Sequence, residues 1–371
     1  MSKRLLLLTL DFPPRTGGVA RYLEALAVFF GEEIRVIANP EKGSEVFDKI
    51  APFQLERQEL LFKKIWPHWL RSVLFLVKEQ LNYQTVIISH LLPLGAAAWL
   101  AKFVTRRPYV VIVHGMDVSL AKNSVQKKWL AGLVLRGAKA VVANSSALAE
   151  EVRRDFGVKE TLVVYPGVEN QLRWLAADRP LTTATEGFDN FVLLTVSRLV
   201  ARKGHLRVLQ ALSKIKSQVP NLQYRIVGEG PMKEELQKTT TDLGLDSIVK
   251  FEGFLSDEKL AEAYEQANLF VEPTVVDSID REGFGMVYLE AAAHGVPSIA
   301  TDQPGVDEAV LDGQTGLLIP DGDIEALAAA ILALSRDPEE RKRLGENARR
   351  RVLEEFVFEK QFEKLREFLK I

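Results

Sequence analysis

Two carboxylates, Glu282 and Glu290, enclose the stretch GFGMVYL, with seven residues between them. On one continuous helix their separation of eight is about 2.2 turns, which would set both acids on broadly the same face. Gly283 and Gly285 argue instead for a helix that begins near residue 285. Glu282 then stands in the loop before the helix, and Glu290 lies one to two turns inside it. The bare N–H groups at such a helix start attract anions. The stretch therefore offers a carboxylate, an anion cradle and a second carboxylate in one line. A plainer reading stands beside it on spacing alone: a helix entry whose acid is favoured by the dipole, plus an unrelated polar residue.

Cations and glycines fall at comparable places. Arg198 and Lys203 sit in SRLVARKG, just after the apolar run FVLLTVS. Together they suit a diphosphate, the arginine gripping two oxygens and the lysine supplying a point charge. The alternative is a solvated basic loop, of which Arg202 reads as the natural member. Gly228 and Gly230 follow the next apolar run and permit close backbone approach. Gly17 and Gly18 follow the first run and open the segment VARYLEALAVFF, fitting an anion loop or a tight turn equally. His114 ends the run YVVIVHG, with Asp117 three residues on, and at a strand end could orient a substrate hydroxyl. His68, His90, His205 and His294 read as structural. Asp321 and Asp323 read as a turn, with Asp323 a helix N-cap rather than a metal ligand.

Absent motifs narrow the chemistry. The chain has no G-x-G-x-x-G, no G-x-x-x-x-G-K-[ST], no H-E-x-x-H and no G-x-S-x-G, which argues against dinucleotide enzymes, P-loop NTPases, zinc peptidases and serine hydrolases. It has no cysteine, so no disulfide, thiolate metal site or cysteine nucleophile is available.

The elements that must carry these residues recur regularly. A chain of 371 residues suggests two domains. Apolar runs at 4–10, 34–39, 85–90, 109–115, 140–145 and 161–167 alternate with helix-length segments, and so do runs at 191–197, 223–228, 249–254, 269–274, 297–302 and 315–320. Continuous rather than alternating apolarity marks parallel sheets covered on both faces. The expectation is an α/β protein of two Rossmann-like, doubly wound domains. The first spans 1–168 and the second 191–353, joined by a polar linker over 169–190 that contains Pro180. Ligands of such domains sit at the C-terminal ends of the strands. A helix over about 354–371 carries an apolar stripe of Phe356, Phe358, Phe362, Leu365 and Leu369 that must pack on something.

Charge is uneven: residues 1–168 carry a net +8 and the remainder −10, which suggests different partners for the two halves. No stretch approaches the roughly 20 apolar residues of a spanning helix, and LLLLTL at the start is too short for a signal peptide. The segment LLFKKIWPHWLRSVLFLVK (60–78) interleaves Lys63, Lys64, Arg71 and Lys78 with Phe62, Trp66, Trp69 and Phe75 and holds no acid. It fits an anionic bilayer surface or, equally, a helix packed through its Trp and Leu face.

Taken together, the Gly-Gly loop, H-G-x-D, S-R-L-x-x-x-K-G and E-G-F-G-M-V-Y-L-E-A resemble the retaining glycosyltransferases of family four, with the GT-B fold. DFPPRTGGVARYLEAL and EGFGMVYLEA look like the mannosyltransferases that act on phosphatidylinositol mannosides. The resemblance implies a hexosyltransferase that uses a GDP- or UDP-sugar, GDP-mannose first, with no metal and no other cofactor. It implies that Arg198 and Lys203 neutralise the departing diphosphate, that Glu282 contacts the transferred sugar and that Glu290 holds the ribose hydroxyls. Backbone groups of Gly283, Phe284, Gly285, Met286 and Val287 would meet sugar and phosphate. Gly17, Gly18, Gly228 and Gly230 would approach the donor, and the backbone near Phe254 and Leu255 would read the base. His114 would hydrogen-bond the donor sugar. The domains would face each other across a cleft, and the last helix would cross back to the first domain, which would hold a lipid-linked or glycan acceptor. The expected location is cytoplasmic and peripheral, at the inner face of the membrane, without nucleic-acid partners. A non-hydrolysing sugar-nucleotide epimerase of the same fold is the alternative enzyme, and a non-catalytic nucleotide-sugar-binding protein the alternative outside enzymes.

Overall fold

The computed structural model describes residues 4–168, 190–276 and 282–370. The linker expected over 169–190 falls, apart from Asn190, outside them. Two compact units emerge. The first joins Met1–Pro166 to Phe358–Ile371, and the second is Gly167–Val357.

In the first unit, strands β1 (Leu5–Thr9), β2 (Ile34–Ala38), β3 (Gln54–Arg57), β4 (Thr85–Ile88), β5 (Tyr109–Val113), β6 (Ala140–Ala143) and β7 (Thr161–Val163) form a seven-stranded sheet. Its order is β3-β2-β1-β4-β5-β6-β7, and every pairing is parallel. β1 is buried on both faces because Leu5–Leu8 leave no polar side: each is at most 1% exposed. β3 was not legible as an apolar run, since its sequence is QLER. It is an edge strand, held by ladder bonds to β2 and by Arg35, whose guanidinium donates to both Glu56 oxygens at 2.9 and 2.7 Å. An edge strand needs only one neighbour and little apolar content, so hydropathy does not reveal it.

The second unit has β8 (Phe191–Val196), β9 (Leu222–Val227), β10 (Val249–Gly253), β11 (Leu269–Glu272), β12 (Ser298–Thr301) and β13 (Gly316–Ile319). They pair in parallel in the order β10-β9-β8-β11-β12-β13. Asp323 caps the helix Ile324–Arg336 by accepting from the Ala326 N–H, the role read from its position.

In each sheet the strand order reverses once, between β1 and β4 and between β8 and β11. Loops leaving the two strands at a reversal diverge to opposite faces and open a crevice at the C-terminal edge. That geometry gathers functional side chains without any special sequence.

The last helix, Phe358–Leu369, belongs to the first unit and packs on the helix Gly18–Phe30. Phe358, Phe362, Leu365 and Leu369 recur at helical spacing and are all buried. Phe362 meets Tyr22 edge-on at 5.2 Å and stacks on Phe358 at 5.3 Å. The expected five-residue stripe is divided, however. Phe356 packs instead on Phe284 of the second unit, at 5.6 Å between ring centroids.

Removing the central ring should therefore undo the docking. Phe362→Ala is expected to cost about 3–5 kcal/mol, as large-to-small core changes do. Glu367→Ala, on the exposed face of the same helix, should stay within about 0.5 kcal/mol. Urea unfolding of the two variants checks this, and equal midpoints would refute the packing.

Candidate active site

In the second unit the loop after β8 ends in one 3-10 turn, Ala201–Lys203. The backbone N–H of Val275, just beyond β11, donates to the Arg202 carbonyl at 2.7 Å. Gly204, at φ 72°, makes that closeness possible: a Cβ there would stand 2.0 Å from the Pro273 carbonyl oxygen. Tyr288, buried in the helix Met286–Ala293, donates from Oη to the Glu272 carbonyl at 2.7 Å.

This frame converges four charged side chains. Lys203 is 8% exposed, and its Nζ donates to Glu272 Oε1 at 2.8 Å and to Glu282 Oε2 at 2.7 Å. Arg202 donates from Nη1 to the same Glu282 oxygen. Burial alone would raise the Glu282 carboxyl, but Lys203 and then Arg202 outweigh it and hold it at about 2. Glu272, fully buried, goes the other way: burial outweighs the attraction of Lys203 and raises it. Burial opposes the Lys203 ammonium, yet Glu272 and Glu282 prevail and raise its pKa.

One sequence reading changes here, and one residue is added. Arg202, taken as the solvated member of the loop, is 11% exposed at its side chain and committed to Glu282. Arg198 is the exposed one, with no side-chain ion pair among the described residues. Glu272 was not singled out at all. A carboxylate inside LFVEPT looks like the end of a buried strand, and only the reversal between β8 and β11 sets it beside Lys203.

Glu282 stands in the loop before the helix that starts at Met286, with Gly285 as N-cap. Phe284 is 1% exposed and spent on packing against Phe356, so only its backbone can meet a ligand. Gly283, Met286 and Val287 are half-buried. Glu290 is half-buried and accepts from Tyr264 Oη at 2.8 Å, and Tyr264 stacks on His294. Gly228 and Gly230 press against the chain's own β8 loop. A Cβ at Gly228, whose φ is 133°, would lie 2.0 Å from the Ser197 carbonyl oxygen. Phe254 is exposed and Leu255 half-buried beyond β10. His205 is buried against Ser197 Oγ at 3.1 Å, and burial lowers it to about 4.

In the first unit, Gly17 and Gly18 are exposed at the start of the helix Gly18–Phe30. His114 follows β5, and its backbone N–H donates to Asp117 Oδ1 at 3.0 Å, as that of Gly115 does at 3.1 Å. Its ring lies edge-on to Tyr22 at 5.7 Å, and its Nε2 is sealed from solvent without a partner. Burial, reinforced by His90, lowers His114 to about 3. Burial therefore favours the neutral imidazole, with Nε2 enclosed and unpartnered. His90, read as structural, sits at the reversal between β1 and β4 with Asp11. Its Nε2 lies 3.3 Å from Asp11 Oδ2 and its Nδ1 2.8 Å from Ser89 Oγ. The bond to His90 lowers the Asp11 carboxyl. Among the described residues no group of three or more His, Cys, Asp or Glu side chains is disposed to hold a metal ion.

Two parallel α/β units with their polar residues at strand C-terminal edges define the GT-B class. Comparison with known proteins gives the family. Residues 16–172 match the "Glycosyltransferase Family 4" profile and residues 184–351 the "Glycosyl transferases group 1" profile. The chain is 31% identical, over 98% of both chains, to the GDP-mannose-dependent alpha-(1-6)-phosphatidylinositol monomannoside mannosyltransferase of Mycolicibacterium smegmatis. It is 31% identical, over 72% of its own length and 62% of the relative's, to a D-inositol 3-phosphate glycosyltransferase of Streptomyces bingchenggensis. The Anabaena HepE protein, solved in complex with UDP, shares the fold with a TM-score of 0.81 at 23% identity and 99% coverage of both chains. The chain belongs to the family-four glycosyltransferases.

The enclosed imidazole has a measurable consequence. Above pH 6.5, His114 is neutral folded and unfolded. Between pH 6.5 and about 3 only the unfolded chain takes up its proton, so stability falls as the pH drops through that window. Each such group steepens the slope by up to about 1.4 kcal/mol per pH unit. His114→Asn should unfold in urea with a shallower loss of stability between pH 6.5 and 4.5 than the wild type. Parallel slopes would refute the assignment.

Proposed function

We propose that the chain is a retaining hexosyltransferase that moves mannose from GDP-mannose to a lipid-linked acceptor without a metal. The observation that carries the reading is the convergence of Arg202, Lys203 and Glu282 at the C-terminal edge of a parallel sheet. Such a group offers cations to a departing diphosphate and a carboxylate to sugar hydroxyls, and it supplies the charge neutralisation that a metal provides elsewhere. The 31%-identical relative named for GDP-mannose supports the donor and the class of acceptor.

A leaving phosphate held by cations is well placed to take the acceptor's proton, which supports reaction on one face rather than through a covalent glycosyl-enzyme. The acceptor oxygen bonds to the anomeric carbon as the bond from that carbon to the phosphate oxygen breaks. The acceptor proton passes to that phosphate oxygen, and the nucleoside diphosphate leaves. Lys203 and exposed Arg198 stabilise the charge it gathers, and Glu290 holds the ribose.

The acceptor's setting fits the surface near residues 60–78. Only Leu70–Lys78 of this segment is helical. Before it, Lys63, Lys64, Ile65 and Trp66 are exposed, with Trp66 at 85%. Trp69 and Phe75 pack on the core of the unit. An exposed tryptophan beside lysines fits an anionic bilayer surface. No helix among the described residues is long and apolar enough to cross a membrane.

Lys203→Ala and Glu282→Ala should each reduce transfer at least a hundredfold in folded protein, assayed with GDP-mannose and a phosphatidylinositol mannoside. Full activity in both would overturn the reading, and conversion of the free sugar nucleotide would favour an epimerase. GDP at 100 times its dissociation constant should add about 2.7 kcal/mol of stability, and a thermal shift with UDP alone would change the donor. Co-sedimentation with vesicles containing anionic phosphatidylinositol should occur at low salt and weaken severalfold in Trp66→Ser. Unchanged binding of that variant would remove 60–78 from the membrane contact.

A further inference from the structure

We propose that Glu272 is the positioning residue for Lys203, and that Glu282 is an exchangeable counter-ion occupying the place of the donor's diphosphate. The proposal rests on the glycosyltransferase reading and concerns the same group of charges. Its basis is the unequal holding of the two carboxylates. Glu272 is 0% exposed, ends a central strand and has its carbonyl fixed by Tyr288. Its only side-chain bond among the described residues is to Lys203 at 2.8 Å, and its Oε2 has no partner. Such a carboxylate has nowhere else to go. Glu282 stands on a loop, keeps some exposure, and one oxygen, Oε2, receives both cations. Both glutamates are the right length to reach Nζ, but Glu272 ends a strand whereas Glu282 stands before the helix Met286–Ala293.

The charges decide the consequence. Arg202, Lys203, Glu272 and Glu282 sum to zero, so the group is already neutral before any donor arrives. A diphosphate gains its ion pairs there by displacing the carboxylate that can leave. Glu272 then keeps the ammonium at the height of the sheet edge, and the released Glu282 is free for sugar hydroxyls. Without Glu272, the ammonium would follow Glu282 and lose the fixed position from which it stabilises the leaving group. Misplacement by about 1 Å of a group that acts in the transition state costs on the order of a hundredfold in rate.

Steady-state kinetics and calorimetry on the full chain test both halves. Glu272→Gln, normalised to folded protein, should lower kcat ten- to a hundredfold while the KM for GDP-mannose moves less than threefold. A role confined to stability would lower Tm and leave kcat per folded molecule within twofold, which would overturn the positioning role. Should that variant fail to fold, Glu272→Asp keeps the charge but draws it back by one methylene, and the same split is expected. Glu282→Gln should bind GDP at least fivefold more tightly than wild type, because no ion pair is broken on binding. Equal or weaker binding overturns the exchange. If wild type binds neither GDP nor UDP, the functional reading fails on its own, and the anchoring is still decided by denaturation. Lys203→Met should then lower Tm less than half as much in the Glu272→Gln background as in the wild type, and additive shifts would refute it.

Discussion

A lysine ammonium buried at the edge of the second sheet constrains everything around it. Taking a charge out of water is costly unless opposite charge and hydrogen bonds meet it. Lys203 meets that demand with two carboxylates, Glu272 at the end of β11 and Glu282 just before the helix Met286–Ala293, so three stretches of chain must arrive together. The glycine at 204, the backbone bond from Val275 to Arg202 and the tyrosine beneath Glu272 are the means by which they do. A change to any of them would be felt as a misplaced charge before it was felt as a lost contact.

The two units reach comparable arrangements by the same topological route. In each, the site residues that sequence reading passed over lie at the reversal of strand order. Asp11 and His90 lie beyond β1 and β4, and Glu272 ends β11, beside the loop that leaves β8. A parallel sheet carries its helices away to both faces, and at the reversal nothing covers the strand ends. Polar side chains can gather there at little cost to the core.

That geometry explains which parts of the molecule were legible. Twelve of the thirteen described strands announce themselves as short apolar runs, because both faces of a parallel sheet are covered. QLER did not, because an edge strand is held by pairing rather than by apolar content. The helix start at Met286 was legible from Gly283 and Gly285, and with it the place of Glu282 outside the helix. Arg202, which reads as the solvated member of its loop, turns inward onto Glu282, since spacing within a loop does not say which cation does so. Glu272 was hidden for a deeper reason. Its partner lies 69 positions earlier in the chain, and no local pattern encodes a contact made by strand order.

The docking of the last helix on the first unit bears on how the molecule comes into being. Tyr22 and Phe362, in ring contact there, stand at opposite ends of the chain. During synthesis the first unit must wait, its sheet formed and the Tyr22 face of its first helix uncovered, while all of the second unit emerges. The second unit, continuous in sequence, has no such delay. The domain made first is therefore completed last. Its uncovered helix face is the surface that a chaperone would meet on the nascent chain.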